Sequence, residues 1–311
     1  MADDRSSSSY QVLPAGTRVV INRVVRTGAG TPVCPAGAMG VIVKAPADHT
    51  HSYRVRLPSG AEVALHRKDL EVFTRFQEQG GQVGPEEQLA RLSEFTIYRC
   101  IVGSRAYGLE EEGSDIDLRG IYLSPSELHW SLNGVPEQLE KGNSEEVYWE
   151  LQKFLVLALK ANPNVLECLY TPLVEQATPL ALELLAERAR FLSKLVYQTY
   201  NGYVMSQFKK MEQDLRTRGE IRWKHAMHLI RLLLAGVTAL REGYVPVDVR
   251  EQREHLLAVR RGELDWNEVN DWRLRLHHEF DEVFALTALP ERPDYEWANR
   301  FLIRARKSMV D

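Results

Sequence analysis

The hydrophobic period changes once along this chain, near residue 150, and that change restricts the fold more than any other feature. Before it, apolar residues come in short β-branched or aromatic runs: Thr17 to Val25, Gly40 to Lys44, Tyr53 to Leu57, Glu62 to Leu65, Thr96 to Val102, Ile116 to Leu123 and Glu146 to Trp149. Runs of this length, bounded by turn material such as Pro-Ala-Gly and Pro-Ser-Gly, read as strands. After it, Leu151, Phe154, Leu155, Ala158 and Leu159 recur at helical spacing, as do the apolar positions of Leu180 to Phe208 and His225 to Leu240. Strands followed by helices predict an α+β protein. With 311 residues and 44% apolar side chains, the chain is long enough for two or three domains.

Composition shifts mark the boundaries. Residues 1–10 are polar and Ser-rich, a disordered lead-in. Residues 11–75 form a small all-β unit. Its runs Gly40-Val41-Ile42-Val43 and Tyr53-Arg54-Val55-Arg56-Leu57, closed by Asp69-Leu70-Glu71-Val72, resemble an SH3-like β-barrel. Residues 76–85 have a Gly/Gln-rich linker composition, and Glu86 to Ser93 reads as a short helix. A mixed-sheet domain is expected over 86–175 and a helical domain over 176–311.

The net charge of −4 and pI near 6.2 exclude a generally basic nucleic-acid coat. Residues 10–75 nevertheless carry nine Lys/Arg against four Asp/Glu. That excess suits a phosphate backbone, and it suits an ordinary solvated surface equally. Cys34, Cys100 and Cys168 are widely spaced and odd in number, so neither a disulfide nor a zinc site is expected. The polar N-terminus and the lack of any apolar stretch near ~20 residues point to a cytoplasmic protein without a membrane span.

Chemistry concentrates in Val102-Gly103-Ser104-Arg105-Ala106-Tyr107-Gly108-Leu109 and Gly113-Ser114-Asp115-Ile116-Asp117-Leu118-Arg119-Gly120. A strand ending in Gly103-Ser104 lets backbone approach a bound group closely, and the amides and hydroxyl beyond it can hold phosphate oxygens. Asp115 and Asp117, two apart on a strand, project from one face and can clamp a divalent ion. Oxygen-only donors suit Mg²⁺ or Mn²⁺, which keep waters and bind substrate phosphates. Taken alone, a Gly-Ser is a turn and an Asp-x-Asp a solvated strand end. Ten acidic residues between 109 and 146, against Arg119 and Lys141, favour divalent cations at this place. Arg105 and Arg119 flank the pair, and Tyr107 is positioned to stack on a base.

Together these elements resemble the signature of the DNA polymerase β nucleotidyltransferase superfamily. The resemblance implies a metal-dependent transferase moving a nucleoside monophosphate from an NTP, with ATP the expected nucleotide, to a hydroxyl. It also implies a third carboxylate from a neighbouring strand. Glu145, Glu146 and Glu150 are the candidates, and Glu146 is favoured because it opens the run Val147-Tyr148-Trp149, whereas Glu150 suits a helix first turn.

Further blocks resemble bacterial and phage nucleotidyltransferases associated with RNA ligase and RNA repair: Lys153-Phe154-Leu155, then Lys160-Ala161-Asn162-Pro163-Asn164-Val165-Leu166-Glu167, then Lys224 to Leu233. The likeness spans about residues 94 to 262, outside the N-terminal unit, and implies an RNA acceptor. Acceptors of protein or small-molecule type, and a non-catalytic nucleic-acid-binding adaptor, are the competing readings. Asn162 and Pro163 also read simply as a helix stop and cap. Lys160 reaches a triphosphate or merely closes a helix. Lys224, His228 and Arg231 share one helical stripe, facing either the cleft or solvent. His225, on the next face, reads as a packing residue.

Overall fold

The computed structural model describes residues 12–26, 32–46, 51–73, 91–141 and 145–310. The chain divides into two compact units, Met1–Val83 and Gly84–Asp311. The lead-in 1–10 and the linker 76–85 lie outside the described residues, as does most of the helix expected over 86–93.

The first unit contains β1 (Arg18–Ile21), β2 (Val25–Arg26), β3 (Pro32–Cys34), β4 (Met39–Lys44), β5 (Tyr53–Arg56), β6 (Glu62–Leu65) and β7 (Leu70–Val72). Five of them make an antiparallel sheet of order β6-β5-β4-β1-β7, and β2 pairs with β3 as a separate hairpin. Alternation decides the faces: Tyr53 and Val55 are buried while Arg54 and Arg56 are exposed. The buried set joins Val19, Ile21, Ile42 and Leu65 in one core. A Cβ at Gly40 would lie 2.4 Å from Val55 Cγ1, so glycine is what admits β5 at this distance. A closed barrel was expected from the sequence, but among the described residues the sheet is open, with β6 and β7 as its edges. Closure would require the edges β6 and β7 to pair with each other, and no such pairing is present among the described residues.

The second unit opens with β8 (Thr96–Val102), α1 (Gly103–Ala106), β9 (Asp117–Tyr122), α2 (Ser126–Trp130), β10 (Gln138–Lys141) and β11 (Glu146–Glu150). There follow α3 (Leu151–Leu159), α4 (Pro163–Tyr170), β12 (Val174–Ala177), α5 (Pro179–Ala186), α6 (Leu195–Arg218), α7 (Trp223–Glu242), α8 (Arg253–Arg261), α9 (Trp266–Leu286) and α10 (Tyr295–Lys307). The sheet order is β10-β11-β9-β8-β12, with β9 and β11 parallel and every other neighbour antiparallel. Mixed α+β character is therefore present in the chain, with sheet and helices sharing one core from Ile97 to Ala305.

The two faces of this sheet have different fates. Cys100, Val102, Ile121, Val147 and Trp149 join the core shared with the helices. Tyr122, Tyr148 and Leu139 pack on the other side with Leu92. Gly120 is where β9 lets that second layer close: a Cβ there would stand 2.4 Å from the Tyr148 ring and 2.5 Å from Tyr98 O.

Helix α7 is apolar nearly all round and buries residues from Ala226 to Leu240, the mark of a central helix, and it packs against α6, α8 and α9. The apolar stretch from Leu180 to Phe208 is broken between α5 and α6 by a 3₁₀ turn at Arg188–Phe191. Asn162 caps α4, accepting from the amides of Asn164 and Val165, with Pro163 in its first turn. Among the described residues no helix is long and apolar enough to cross a membrane, and the three cysteines are buried free thiols.

Candidate active site

Strand β8 ends where Gly103 takes φ +71°, the left-handed region open chiefly to glycine. A Cβ at this position would stand 2.2 Å from Asp117 Oδ2. Glycine is thus required twice, for the turn and for the carboxylate pressed against it. Val102 pairs with Asp117 across the β8–β9 ladder, which seats the Gly-Ser turn beside the acidic pair.

Around this junction lies a cleft of about 660 Å³. One wall carries Gly103, Ser104, Tyr107, Asp115, Asp117 and Arg119, and the floor includes Val147 and Trp149. The opposite wall carries Lys224, Met227 and His228 from α7 and Arg260 from α8. Asp115 is exposed and Asp117 half-buried, with Arg119 Nη2 3.9 Å from Asp117 Oδ1. The Arg119 guanidinium is otherwise committed to the carbonyls of Leu118 and Glu145, at 2.8 and 3.1 Å.

The donor chemistry of Asp115 and Asp117 fits a hard divalent ion whose remaining ligands come from water and substrate phosphate. Among the described residues no three His, Cys, Asp or Glu side chains converge on one point. Glu146, the favoured third carboxylate, lies on the face away from the cleft. Its oxygens accept from Tyr148 OH at 2.6 Å and lie 3.3 Å from Lys141 Nζ. Alternation explains this: Val147 and Trp149 face the cleft, so Glu146 and Tyr148 cannot. Glu150 is buried, caps α3 by accepting from Gln152 N at 2.7 Å, and lies 3.3 Å from Arg306. Glu145 lies one residue ahead of β11, where its carbonyl accepts from Leu118 N at 2.7 Å.

Of the other predicted residues, Gly103, Ser104, Tyr107, Lys224 and His228 are brought together and Arg105 and Lys160 are not. Arg105 is exposed and donates to Ser114 O at 3.3 Å, bracing the loop from outside. Lys160 is exposed at the end of α3, where Ala161 (φ 53°) turns the chain. Tyr107 is engaged with the protein itself: it is buried, Arg231 lies over its ring at 3.8 Å, and its hydroxyl donates to Glu167 Oε2 at 2.6 Å. Arg231 donates to the other oxygen of Glu167 at 2.5 Å, with both side chains nearly inaccessible. Burial foremost pushes the Tyr107 hydroxyl above its ordinary pKa, so it remains a donor. His228 is pushed down to about 3, first by burial and then by Arg231 and Lys224, and stands neutral. His225 meets Gln207 and Asp214 at 3.2 and 3.6 Å.

Glu167, Asn164 and Arg260 are cleft residues that carried no assigned role in the sequence. For Glu167 the signals were a carboxylate amid an apolar helix face and its place at the end of the block from Lys160 that carries the family resemblance. For Arg260 there was none.

With this geometry in place, comparison with known proteins is informative. The family described as RlaP, RNA repair pathway DNA polymerase beta family, matches residues 72–304. A Bacillus subtilis (strain 168) relative, "Uncharacterized protein YcgL", is 27% identical over 153 residues, 48% of this chain and 58% of that protein. The chain thus spans less than two thirds of that relative's length.

Proposed function

This chain belongs to the RNA repair pathway DNA polymerase beta family, and from that premise we propose that it transfers a nucleoside monophosphate from an NTP, ATP foremost, to a hydroxyl of RNA. The observation that carries the reading is the cleft that joins Gly103, Ser104, Asp115 and Asp117 to Lys224 and His228 on a facing helix.

Asp115 and Asp117 would hold Mg²⁺ or Mn²⁺, which neutralises charge on the transferred phosphoryl group. Ser104 offers a hydroxyl donor to the phosphates, and Lys224 a cation on the facing wall. Neutral His228 can donate or accept one hydrogen bond without adding charge. The third carboxylate is assigned to Glu145 in place of Glu146. Continuing the register of β11 on β9 by one residue sets Glu145 level with Asp117, and adjacent strands lie ~4.8 Å apart, within reach of a rotamer change. Glu140, also in the cleft, is two strands from β9, roughly twice that distance. Positioned near the acceptor, Glu145 would take the hydroxyl proton.

For the first unit, the order β6-β5-β4-β1-β7 with a β2–β3 hairpin between β1 and β4 supports an SH3-like reading and an auxiliary RNA-binding role. Its surface arginines are partly paired. Arg56 meets Glu62 at 2.9 Å and Arg23 meets Asp69 at 3.1 Å, so backbone binding draws on the residual excess of positive charge.

The deciding experiment incubates the protein with radiolabelled NTPs, Mg²⁺ or Mn²⁺ and an RNA pool, beside Asp115→Asn/Asp117→Asn. Labelled RNA with released pyrophosphate is expected from the wild type and not from the variant. Label on protein would move the acceptor to the polypeptide. No product together with no NTP binding would remove the transferase reading altogether.

A further inference from the structure

Helix α8 presents three arginines to four consecutive residues of the loop that links the Gly-Ser turn to the acidic pair. Arg253 Nε donates to Gly108 O at 2.7 Å and its Nη2 to Glu110 O at 3.4 Å. Arg260 Nη1 donates to Leu109 O at 3.2 Å. Arg261 donates to Glu111 Oε1 through Nε and Nη2, at 3.1 and 2.8 Å. On the approach to α8, Val249 N donates to Tyr107 O at 3.0 Å. A loop of exposed acidic residues is thereby fixed from the helical side.

Only one of the three, Arg260, also lines the cleft. Its side chain is 29% exposed, its Nη1 lies 3.6 Å from Glu111 Oε2, and among the described residues only that Nη1 is hydrogen-bonded. The other cationic cleft residues are differently placed. Arg119 is bound to two carbonyls and leans on Asp117, and Lys224 is a single ammonium on a flexible stem. The cleft also holds Glu111, Glu112, Asp115, Asp117 and Glu140. A polyphosphate entering it needs a fixed cation with donors to spare, and the Nε and Nη2 of Arg260 make no hydrogen bond among the described residues. A guanidinium, planar and permanently charged, matches phosphate oxygens in pairs.

We propose that Arg260 is a phosphate-binding residue for the polyphosphate chain of the substrate, and that its bond to Leu109 makes it a positioning residue for the loop bearing Asp115. The inference rests on the transferase reading and adds a site residue to it. Arg253 and Arg261 hold the same loop without reaching the ligand.

Inorganic tripolyphosphate, which has the phosphate chain without base or sugar, isolates this contact. Its binding to the full-length protein with Mg²⁺ is measured by calorimetry for the wild type, Arg260→Ala, Arg260→Gln, Arg260→Lys, Arg253→Ala and Arg261→Ala. Charge-assisted bonds of this kind predict a loss on the order of ten- to hundredfold for Arg260→Ala. Arg260→Gln, which can still donate to Leu109 O, is expected to lose as much, while Arg260→Lys retains part of the affinity. Arg253→Ala and Arg261→Ala are expected within about threefold of wild type. If Arg260→Ala does not fold, the Gln and Lys variants decide. Wild type that fails to bind tripolyphosphate, or Arg260→Gln that binds it as tightly as wild type, overturns the proposal. Equal losses in all three arginine positions would reduce Arg260 to loop bracing and overturn it as well. Pyrophosphate release by the wild type from each NTP is measured in parallel. Its absence alongside tight tripolyphosphate binding would remove the transferase reading and leave Arg260 as a phosphate ligand.

Discussion

Replacing Glu167 by Gln tests the network that ties the Gly-Ser turn to the helical wall. The substitution keeps the volume and an acceptor for Tyr107 but removes the charge facing Arg231. Arg231 is 5% exposed and Glu167 2% exposed, so neither charge can recover its solvation by a small movement. Removing one partner of such a pair typically costs ~3–5 kcal/mol, because the remaining charge stays buried. For a unit of ~150–250 residues, each kcal/mol lowers Tm by about 2–4 °C, which gives a fall of roughly 6–20 °C. Arg231 already has its Nε without a hydrogen-bond partner among the described residues, which leaves it little alternative bonding. The assay is urea unfolding of Glu167→Gln, Arg231→Met and the double variant. The double variant should regain at least half of the loss, with a coupling energy of about 2 kcal/mol or more. Tyr107 N donates to Gly103 O at 3.0 Å, so kcat should fall with the pair. A cost below ~1 kcal/mol for Glu167→Gln, or additivity within ~0.5 kcal/mol, would refute the argument that the carboxylate holds a buried cation.

Other consequences are equally specific. His228 has its folded pKa pushed down to about 3, so between there and its ordinary value near 6.5 the unfolded chain binds the proton that the folded chain refuses. Stability should therefore fall as pH is lowered through this window, by up to ~1.4 kcal/mol per unit. Urea midpoints against pH for wild type and His228→Phe check it, the variant losing that slope; identical slopes would contradict it. Gly103→Ala should lower transfer by on the order of a hundredfold or more, because the added Cβ meets Asp117 Oδ2 at 2.2 Å and a 1 Å misplacement has that effect. Parallel single-turnover assays would show whether rate or only NTP affinity changes. Removal of residues 1–83 should weaken RNA binding and flatten its salt dependence while leaving NTP affinity unchanged, and an unaltered salt slope would exclude RNA contact by the first unit.

What the sequence disclosed, and what it withheld, follows from the distance between partners. Asp115 and Asp117 were legible from their spacing behind the Gly-Ser turn, although β9 begins only at Asp117 and Asp115 stands just ahead of the strand. The strands at Thr96–Val102 and Glu146–Glu150 were legible from their own residues, whereas β10 and β12 are short edge strands whose pairing partners create them. Glu146, expected on the cleft face, is a case of another kind. The run from Glu145 to Glu150 alternates correctly, but which of its faces meets the cleft is set by the register of β11 on β9. A one-residue choice there exchanges Glu145 for Glu146.

Helical spacing had a similar limit. Lys224, His228 and Arg231 do share a stripe, but depth varies along it. Lys224 is exposed near the end of α7, whereas two turns on Arg231 is sealed beneath Tyr107 and Glu167. Periodicity gives the face of a helix and says nothing of where along its axis solvent ends. The arginine clamp was beyond either kind of reading, since Arg260 and Leu109 are 151 residues apart. Each arginine of α8 alone looks like a basic residue on a helix, a common surface feature. Its role emerges only when the 108–111 loop is laid against it, and at that point an otherwise unfavourable acidic turn acquires the counter-charge that holds it at the mouth of the cleft.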